Sequence, residues 1–333
     1  MTTLVTGGAG FLGSHLVDAL VARDERVIVL DDLSTGSVAN IDAALATGKA
    51  SFIECDVAVD AERLRGVLRD ARPGHFRSIF HLASPASPEA YGAHPWETLA
   101  VNAIGTMSLI EIALEHGARF IYSSTSEVYG DPLVHPQPES YFGNVDPIGP
   151  RSCYDEGKRF GEAAVAAAIR SRGLDARLVR FFNCYGPRME RGDGRLVPEL
   201  IGAALAGRKL PIQGTGKQTR SMTYIDDAVQ LLLIVEALPL RGLEPVNIGN
   251  DDERSIEDIA RALARVLGIA YDPQFLPARE GDPQRRRPDL TRARSLGWAP
   301  TTSLETGLRV TYDWFAQDVA ARDVTVRGAV ATA

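Results

Sequence analysis

Tyr154 and Lys158 lie four residues apart in the string Tyr154-Asp-Glu-Gly-Lys158. On a helix this spacing puts both side chains on one face. A lysine ammonium beside a phenol favours the phenolate and lowers its pKa, which makes Tyr154 a candidate general base near neutral pH. The pattern is common on protein surfaces, so it needs support from a second feature. Ser123-Ser-Thr125-Ser126-Glu127-Val-Tyr-Gly130 supplies it, directly after the apolar run Phe120–Tyr122. Ligands of open α/β sheets bind beyond the carboxyl ends of strands. A hydroxyl at Thr125 can there bond a reacting alcohol together with Tyr154, and Glu127 sets a carboxylate beside it. The alternative for Glu127 is a loop acid facing water.

A nucleotide site is written nearer the start. Gly7-Gly-Ala-Gly10-Phe11-Leu12-Gly13 follows a short apolar run and opens a helical pattern. Glycines at these positions allow a tight turn and close approach of a pyrophosphate to the N–H groups of a helix N-terminus, where the macrodipole favours negative charge. Asp31 ends the next apolar run, Val27–Leu30, about 20 residues beyond the glycines, where an acid holds the adenosine ribose hydroxyls. Asp31 and Asp32 together repel a 2′-phosphate, so NAD is expected over NADP. Asp56 and Val57 end the third run, with Asp56 either facing the adenine or capping the strand. Leu82 and Ser84 end the fourth, on the nicotinamide side. Asn102 is a polar insert in an apolar helical stretch, placed either to hold the site backbone or to face solvent.

The elements that carry these residues follow from the periodicity. Leu4-Val5, Val27–Leu30, Phe52-Ile53, Ile79–Leu82, Phe120–Tyr122 and Arg177–Phe182 alternate with helical stretches that include Thr98–His116 and Tyr154–Arg172. The alternation predicts an α/β fold, a doubly wound parallel Rossmann sheet. Residues 1–182 are read as the NAD-binding domain, with returns near 224–250. Residues 183–333, richer in Gly, Pro and basic side chains, are read mainly as a smaller α/β substrate-binding lobe. The 333 residues suffice for a large core. A net charge of −7 gives no reason to expect nucleic acid, so an anionic ligand needs local arginines. Three scattered cysteines form neither a metal motif nor a disulfide framework. No cleavable leader and no apolar run of the ~20 residues that span a bilayer are read, so no membrane partner and a cytoplasmic location are expected.

Taken together these residues resemble the extended short-chain dehydrogenases/reductases, over nearly the whole chain. The narrower resemblance is to the UDP-glucuronate decarboxylases. It rests on His81-Leu-Ala-Ser-Pro-Ala-Ser87, Ser124–Pro132, His135-Pro-Gln137, Pro147–Lys158, Gly214–Arg220 and Asp282-Pro-Gln-Arg-Arg286-Arg-Pro288. The resemblance implies catalytic roles for Tyr154, Lys158, Thr125, Glu127 and Arg286, with Glu127 and Arg286 beside the sugar carboxylate. It implies Arg195 near the cofactor, and Ser126, Asn183, Arg188 and Arg220 on the substrate side, Arg220 facing the UDP phosphates. Ala100 stands where relatives carry a lysine, which removes one cation. The implied reaction is transient C4 oxidation by NAD, loss of CO2 and re-reduction to UDP-xylose, in a homodimer. A UDP-sugar 4-epimerase uses the same Thr, Tyr and Lys but needs no Glu–Arg pair. A 4,6-dehydratase carries an Asp where this chain has Ser126. A non-catalytic NAD-binding protein usually lacks the Tyr–Lys pair.

Overall fold

In a computed structural model, which describes residues 2–70, 74–239, 243–279 and 281–331, the six apolar runs become parallel strands. These are β1 (Thr2–Thr6), β2 (Arg26–Asp31), β3 (Ala50–Glu54), β4 (Phe76–His81), β5 (Arg119–Thr125) and β6 (Ala176–Phe181). Their residues are largely buried because helices cover both faces. A seventh parallel strand, Val246–Ile248, pairs with β6, and the order runs Val246–Ile248, β6, β5, β4, β1, β2, β3. Strand order reverses between β1 and β4, and α/β sheets open a crevice at such a reversal.

The register brings the chemistry to one edge. Thr6 pairs with Leu30 and with His81, and Thr125 pairs with Phe181. The glycine loop, Asp31, Asp56, Leu82 and Thr125 therefore emerge side by side. His81 pins this edge. Its ring meets the Thr6 hydroxyl at 2.8 Å and the Thr106 hydroxyl at 3.1 Å, and its carbonyl accepts from Ser123 Oγ at 2.8 Å. Complete burial drives its pKa down to about 3, so it stays neutral and acts as a cross-strand tie.

Two helices flank β4 and β5. One is continuous over residues 95–116, with a π-helical turn at Val101–Gly105 that carries Asn102. Such turns are frequent at functional sites. With 22 residues and an 18-residue stretch of mean hydropathy 1.3, this helix is long and apolar enough by length and composition to cross a bilayer, which corrects the sequence reading. Its inner face is spent on the sheet: Leu109, Ile112 and Ala113 are buried with Phe120 and Tyr122. The other helix, Ser152–Arg172, presents Tyr154, Lys158 and Gly161 inward. Gly161 lets it sit directly on Tyr122, since a Cβ there would lie 2.0 Å from the phenolic oxygen.

The second half builds three short strand pairs: Leu210–Gln213 with Pro273–Leu276, Thr219–Ser221 with Glu253–Ser255, and Cys184–Tyr185 with Thr223–Tyr224. One apolar cluster runs from Val5 and Leu16 through Leu200 and Leu231 to Phe315. Packing therefore joins the two halves.

Candidate active site

A cleft of about 900 Å³ follows the carboxyl ends of the strands. Gly7, Gly10, Phe11, Leu12, Gly13, Asp31, Asp32, Asp56, Val57, Leu82, Ser84, Arg188 and Arg195 all line it. The glycines divide into two kinds. A Cβ on Gly7 would meet Ala83 N at 2.6 Å, and one on Gly13 would meet Gly7 O at 2.0 Å. The protein's own packing forbids side chains there. A Cβ on Gly10 would meet only Gly7 O, at 3.3 Å, a close contact that a shift of a few tenths of an ångström in the turn relieves. Gly10 is also the N-cap of the helix Phe11–Ala22, and no side chain caps it. An uncapped helix start at a glycine suits a pyrophosphate. Asp31 braces the loop, accepting from Ala9 N and Leu33 N at 2.9 Å each. Burial raises its pKa, and these backbone donors oppose the rise. The residues present thus fit NAD.

Several positions are refined by the structure. Asp56 accepts from Ala58 N at 2.7 Å, so it caps the strand end and lines the cleft at once. Asn102 is buried and does not face solvent; its amide donates to Ser84 Oγ at 2.9 Å and to Thr98 O at 2.8 Å, so it holds the cleft wall from behind. Arg195 lies over the Phe11 ring, 5.6 Å from its centroid. Arg188, expected on the substrate side, lines the cofactor cleft and pairs with Asp18 at 2.6 Å.

Beyond Ser84 the catalytic group assembles. Tyr154 lies beside Thr125, and the Lys158 ammonium nitrogen is 5.9 Å from the Tyr154 ring centroid. Lys158 donates to Ser123 O at 2.9 Å. The expected lowering of the Tyr154 pKa is not found: burial lifts it well above the ordinary phenol value, against the Thr125 hydroxyl. Lys158 is buried too, and desolvation brings its own pKa down to about 7. The pair is a desolvated phenol and a weakened ammonium until a ligand adds charge.

Glu127 lies on the buried turn Ser126–Tyr129, so the loop-acid alternative fails. Arg286 forks it, with Nη1 on Oε1 at 2.7 Å and Nη2 on Oε2 at 2.8 Å. Arg151, three residues before Tyr154, adds a third contact to Oε2 at 2.7 Å. Burial opposes ionisation of Glu127, but the two guanidinium groups overcome it and hold the pKa down at about 2. Arg220 is buried beside Arg286 but is committed elsewhere, to Asp282 at 2.7 Å and to Pro283 O at 3.0 Å, where it fixes the loop that carries Arg286. Asn183 Oδ1 is buried without a hydrogen-bond partner, as suits a ligand contact.

Sequence reasoning missed Arg151 and Tyr91. Tyr91 stacks on Tyr154 with centroids 5.2 Å apart, and the Arg151 guanidinium sits 5.9 Å from the Tyr91 centroid. The signal for Arg151 was its place one helical turn ahead of the tyrosine. Nothing local marked Tyr91.

A family model described as "NAD dependent epimerase/dehydratase family" matches residues 3–249. The chain belongs to this family. Among curated members of the NAD-dependent epimerase/dehydratase family, UDP-glucuronic acid decarboxylase 1 of Xenopus tropicalis is 42% identical over 319 residues, 95% of this chain and 72% of that protein. UDP-glucuronic acid decarboxylase 6 of Arabidopsis thaliana is 42% identical over 92% of this chain and 87% of its own length. Solved family members share the architecture. A UDP-glucose 4-epimerase of Thermotoga maritima with UDP-glucose superposes with a TM-score of 0.86 at 33% identity, covering 96% of this chain and 100% of the other. A dTDP-glucose 4,6-dehydratase of Streptomyces venezuelae, solved with NAD bound, gives 0.84 at 30% identity, covering 95% and 97%. The cofactor is NAD.

Two outcomes follow from this geometry. Gly10→Ala is expected to fold normally and to bind NAD at least tenfold more weakly, whereas Gly13→Ala is expected to lose stability itself by about 1–3 kcal/mol through overpacking; NAD titration and denaturant unfolding of both variants check this. Glu127, with its folded pKa lowered to about 2 from 4.5, stabilises the fold fully above the unfolded value and loses that contribution as pH falls towards the folded one. The stability gap between wild type and Glu127→Gln is expected to be on the order of 3 kcal/mol above pH 5 and to shrink as the acid transition is crossed, measured by urea unfolding across that range.

Proposed function

We propose that the chain decarboxylates UDP-glucuronate to UDP-xylose. The observation that carries the reading is the Glu127 fork. Two arginines sit on a buried carboxylate in the turn directly after Thr125, beside Tyr154. Epimerases and dehydratases share the fold, so the fold does not separate the three reactions. An arginine pair poised for a carboxylate does, and the 41–42% identity to decarboxylases supports the same choice. Arg286, Arg151 and Arg220 face Glu127, Asp282 and the buried Asp155, so a sugar carboxylate finds its place by sharing these arginines.

Direct loss of CO2 from a hexuronate leaves an electron pair with nowhere to go. A ketone at C4, β to the C5 carboxylate, accepts it. NAD, held by the glycine loop and Asp31, supplies reversible hydride transfer at C4, with no net oxidation. Tyr154 takes the C4 hydroxyl proton, and Lys158 offsets the cost of the buried phenolate. Thr125 fixes the hydroxyl between itself and Tyr154, and both donate to the oxyanion that forms as CO2 leaves. Arg286 orients the departing carboxylate and directs a water proton to C5. It gains nothing by holding the carboxylate tightly, because only contacts stronger in the transition state speed the step. Removing the carboxylate from a gluco-configured sugar leaves the xylo configuration.

The reading extends to a homodimer in the cytoplasm, with a UDP-sugar as the only partner besides its own copy. Trp96, Ile104, Met107 and Phe160 are 79%, 49%, 55% and 44% exposed on the two adjoining helices, and Ala163 and Ala167 are exposed on the second of them. This apolar face suits a second copy of the same helix pair better than water. The three cysteines are unpaired, which suits a reducing compartment.

Proton NMR of the protein with UDP-glucuronate and catalytic NAD is expected to show UDP-xylose growing in. Tyr154→Phe is expected to slow that signal by roughly 10²-fold or more while NAD still binds. Unchanged UDP-glucuronate, with UDP-glucose turning into UDP-galactose, would move the assignment to an epimerase. Light scattering is expected to give a dimer that Met107→Asp converts to a monomer; a monomeric wild type at micromolar concentration removes the dimer.

A further inference from the structure

Glu127 accepts three charge-assisted hydrogen bonds, from Arg286 twice and from Arg151 once. So held, it is a very weak base, and Arg151 occupies the lone pairs of Oε2 that Arg286 leaves free. Oε2 accepts from both arginines, so freeing that oxygen for a bound sugar requires one arginine to move. Arg286 is bidentate, and its loop is anchored by Arg220 to Asp282. Arg151 is held by a single nitrogen, with Asp282 farther off at 3.9 Å.

One helical turn along lies Asp155, whose N–H donates to Arg151 O at 3.1 Å. Its carboxyl is buried, and Oδ1 has no hydrogen-bond partner; Arg151 Nε is likewise buried and without one. A donor and an acceptor of opposite charge, both dry and both unmet, are separated by the i,i+4 spacing at which side chains meet. Leaving each unsatisfied is costly unless another state of the site joins them.

We propose that Asp155 is a positioning residue that receives Arg151 when Arg151 leaves Glu127, so that Glu127 keeps Arg286 and turns a free oxygen towards the sugar. The inference rests on the decarboxylase reading for its substrate and on the unpaired groups for its geometry. The exchange is a change of partner and needs no redox step. The groups facing Asp155 are Glu127 on the turn after β5, Arg151 at the N-cap and Cys153 and Glu156 on its own helix, Arg286 on the loop from Asp282, and Tyr91 with Tyr154 across the aromatic stack. Burial and the Glu127 charge lift the Asp155 pKa to about 7, against the two arginines. Only the ionised form receives a guanidinium well, so the exchange strengthens as pH rises through the neutral range.

The test compares wild type, Asp155→Asn and Asp155→Glu. In Asp155→Asn, kcat for UDP-glucuronate is expected to fall roughly tenfold, the scale of one charge-assisted hydrogen bond, with KM and NAD affinity changed less than twofold. The rise of kcat through neutral pH is expected to disappear in Asp155→Asn and to return, at least in part, in Asp155→Glu. An unaltered kcat and pH profile in Asp155→Asn overturns the proposal and leaves the decarboxylase in place. A second readout does not depend on turnover. In carboxyl 13C NMR, the signal that titrates near neutral pH in wild type and is missing in Asp155→Asn is expected to move upward by about one pKa unit or more in Arg151→Ala, because its counter-ion is gone. No movement overturns the pairing. Failure of wild type to consume UDP-glucuronate, with that movement present, overturns the decarboxylase reading and leaves the pairing.

Discussion

A carboxylate buried in protein has to be paid in positive charge, and the site is organised around that need. Glu127 sits at the end of a central strand, where water is excluded. It is ionised only because Arg286 and Arg151 reach it. Those arginines come from regions 135 residues apart in sequence, and the loop of one is in turn held by Arg220 and Asp282. The electrostatic demand of one acid thus draws the strand end, the start of the catalytic helix and the second lobe onto a single point.

The cofactor side is governed by sterics instead. Gly7 and Gly13 are glycines because the turn and the helix leave no space for a Cβ, while a Cβ on Gly10 would press only on the Gly7 carbonyl. Asp31 and Asn102 serve this arrangement by holding backbone and cleft wall, as their hydrogen bonds show. His81 ties together β1, β4, β5 and the helix that follows, without taking part in proton transfer. Rigid positioning of this kind is what proton transfer between Tyr154 and a bound hydroxyl requires.

Between the two sides, desolvation decides the acid–base character. A lysine one turn from a tyrosine suggests an acidified phenol when the pair is imagined in water. In the fold both groups are dry, Lys158 loses much of its own affinity for a proton, and Tyr154 remains a phenol. On the proposed reading, charge brought by ligands has to complete the site before the tyrosine acts as a base. This ties proton transfer to occupancy of the cleft and protects the buried pair from idle ionisation.

The sequence by itself determined the sheet, the glycine loop, the strand-end acids and the Tyr–Lys pair. Strand and helix periodicities are local, and a βα turn against a helix start admits few residues besides glycine. It also carried the strings shared with the decarboxylases. What tertiary structure alone decided is which distant groups meet. Arg151 and Tyr91 entered the site through packing, Arg188 went to the cofactor cleft, and Arg220 was absorbed in bracing a loop. The apolar helix over residues 95–116 became a partner of the sheet through its buried face, which its composition could not reveal. Proximity across the chain and the loss of water around a charge are properties of the folded whole, and no window of sequence contains them.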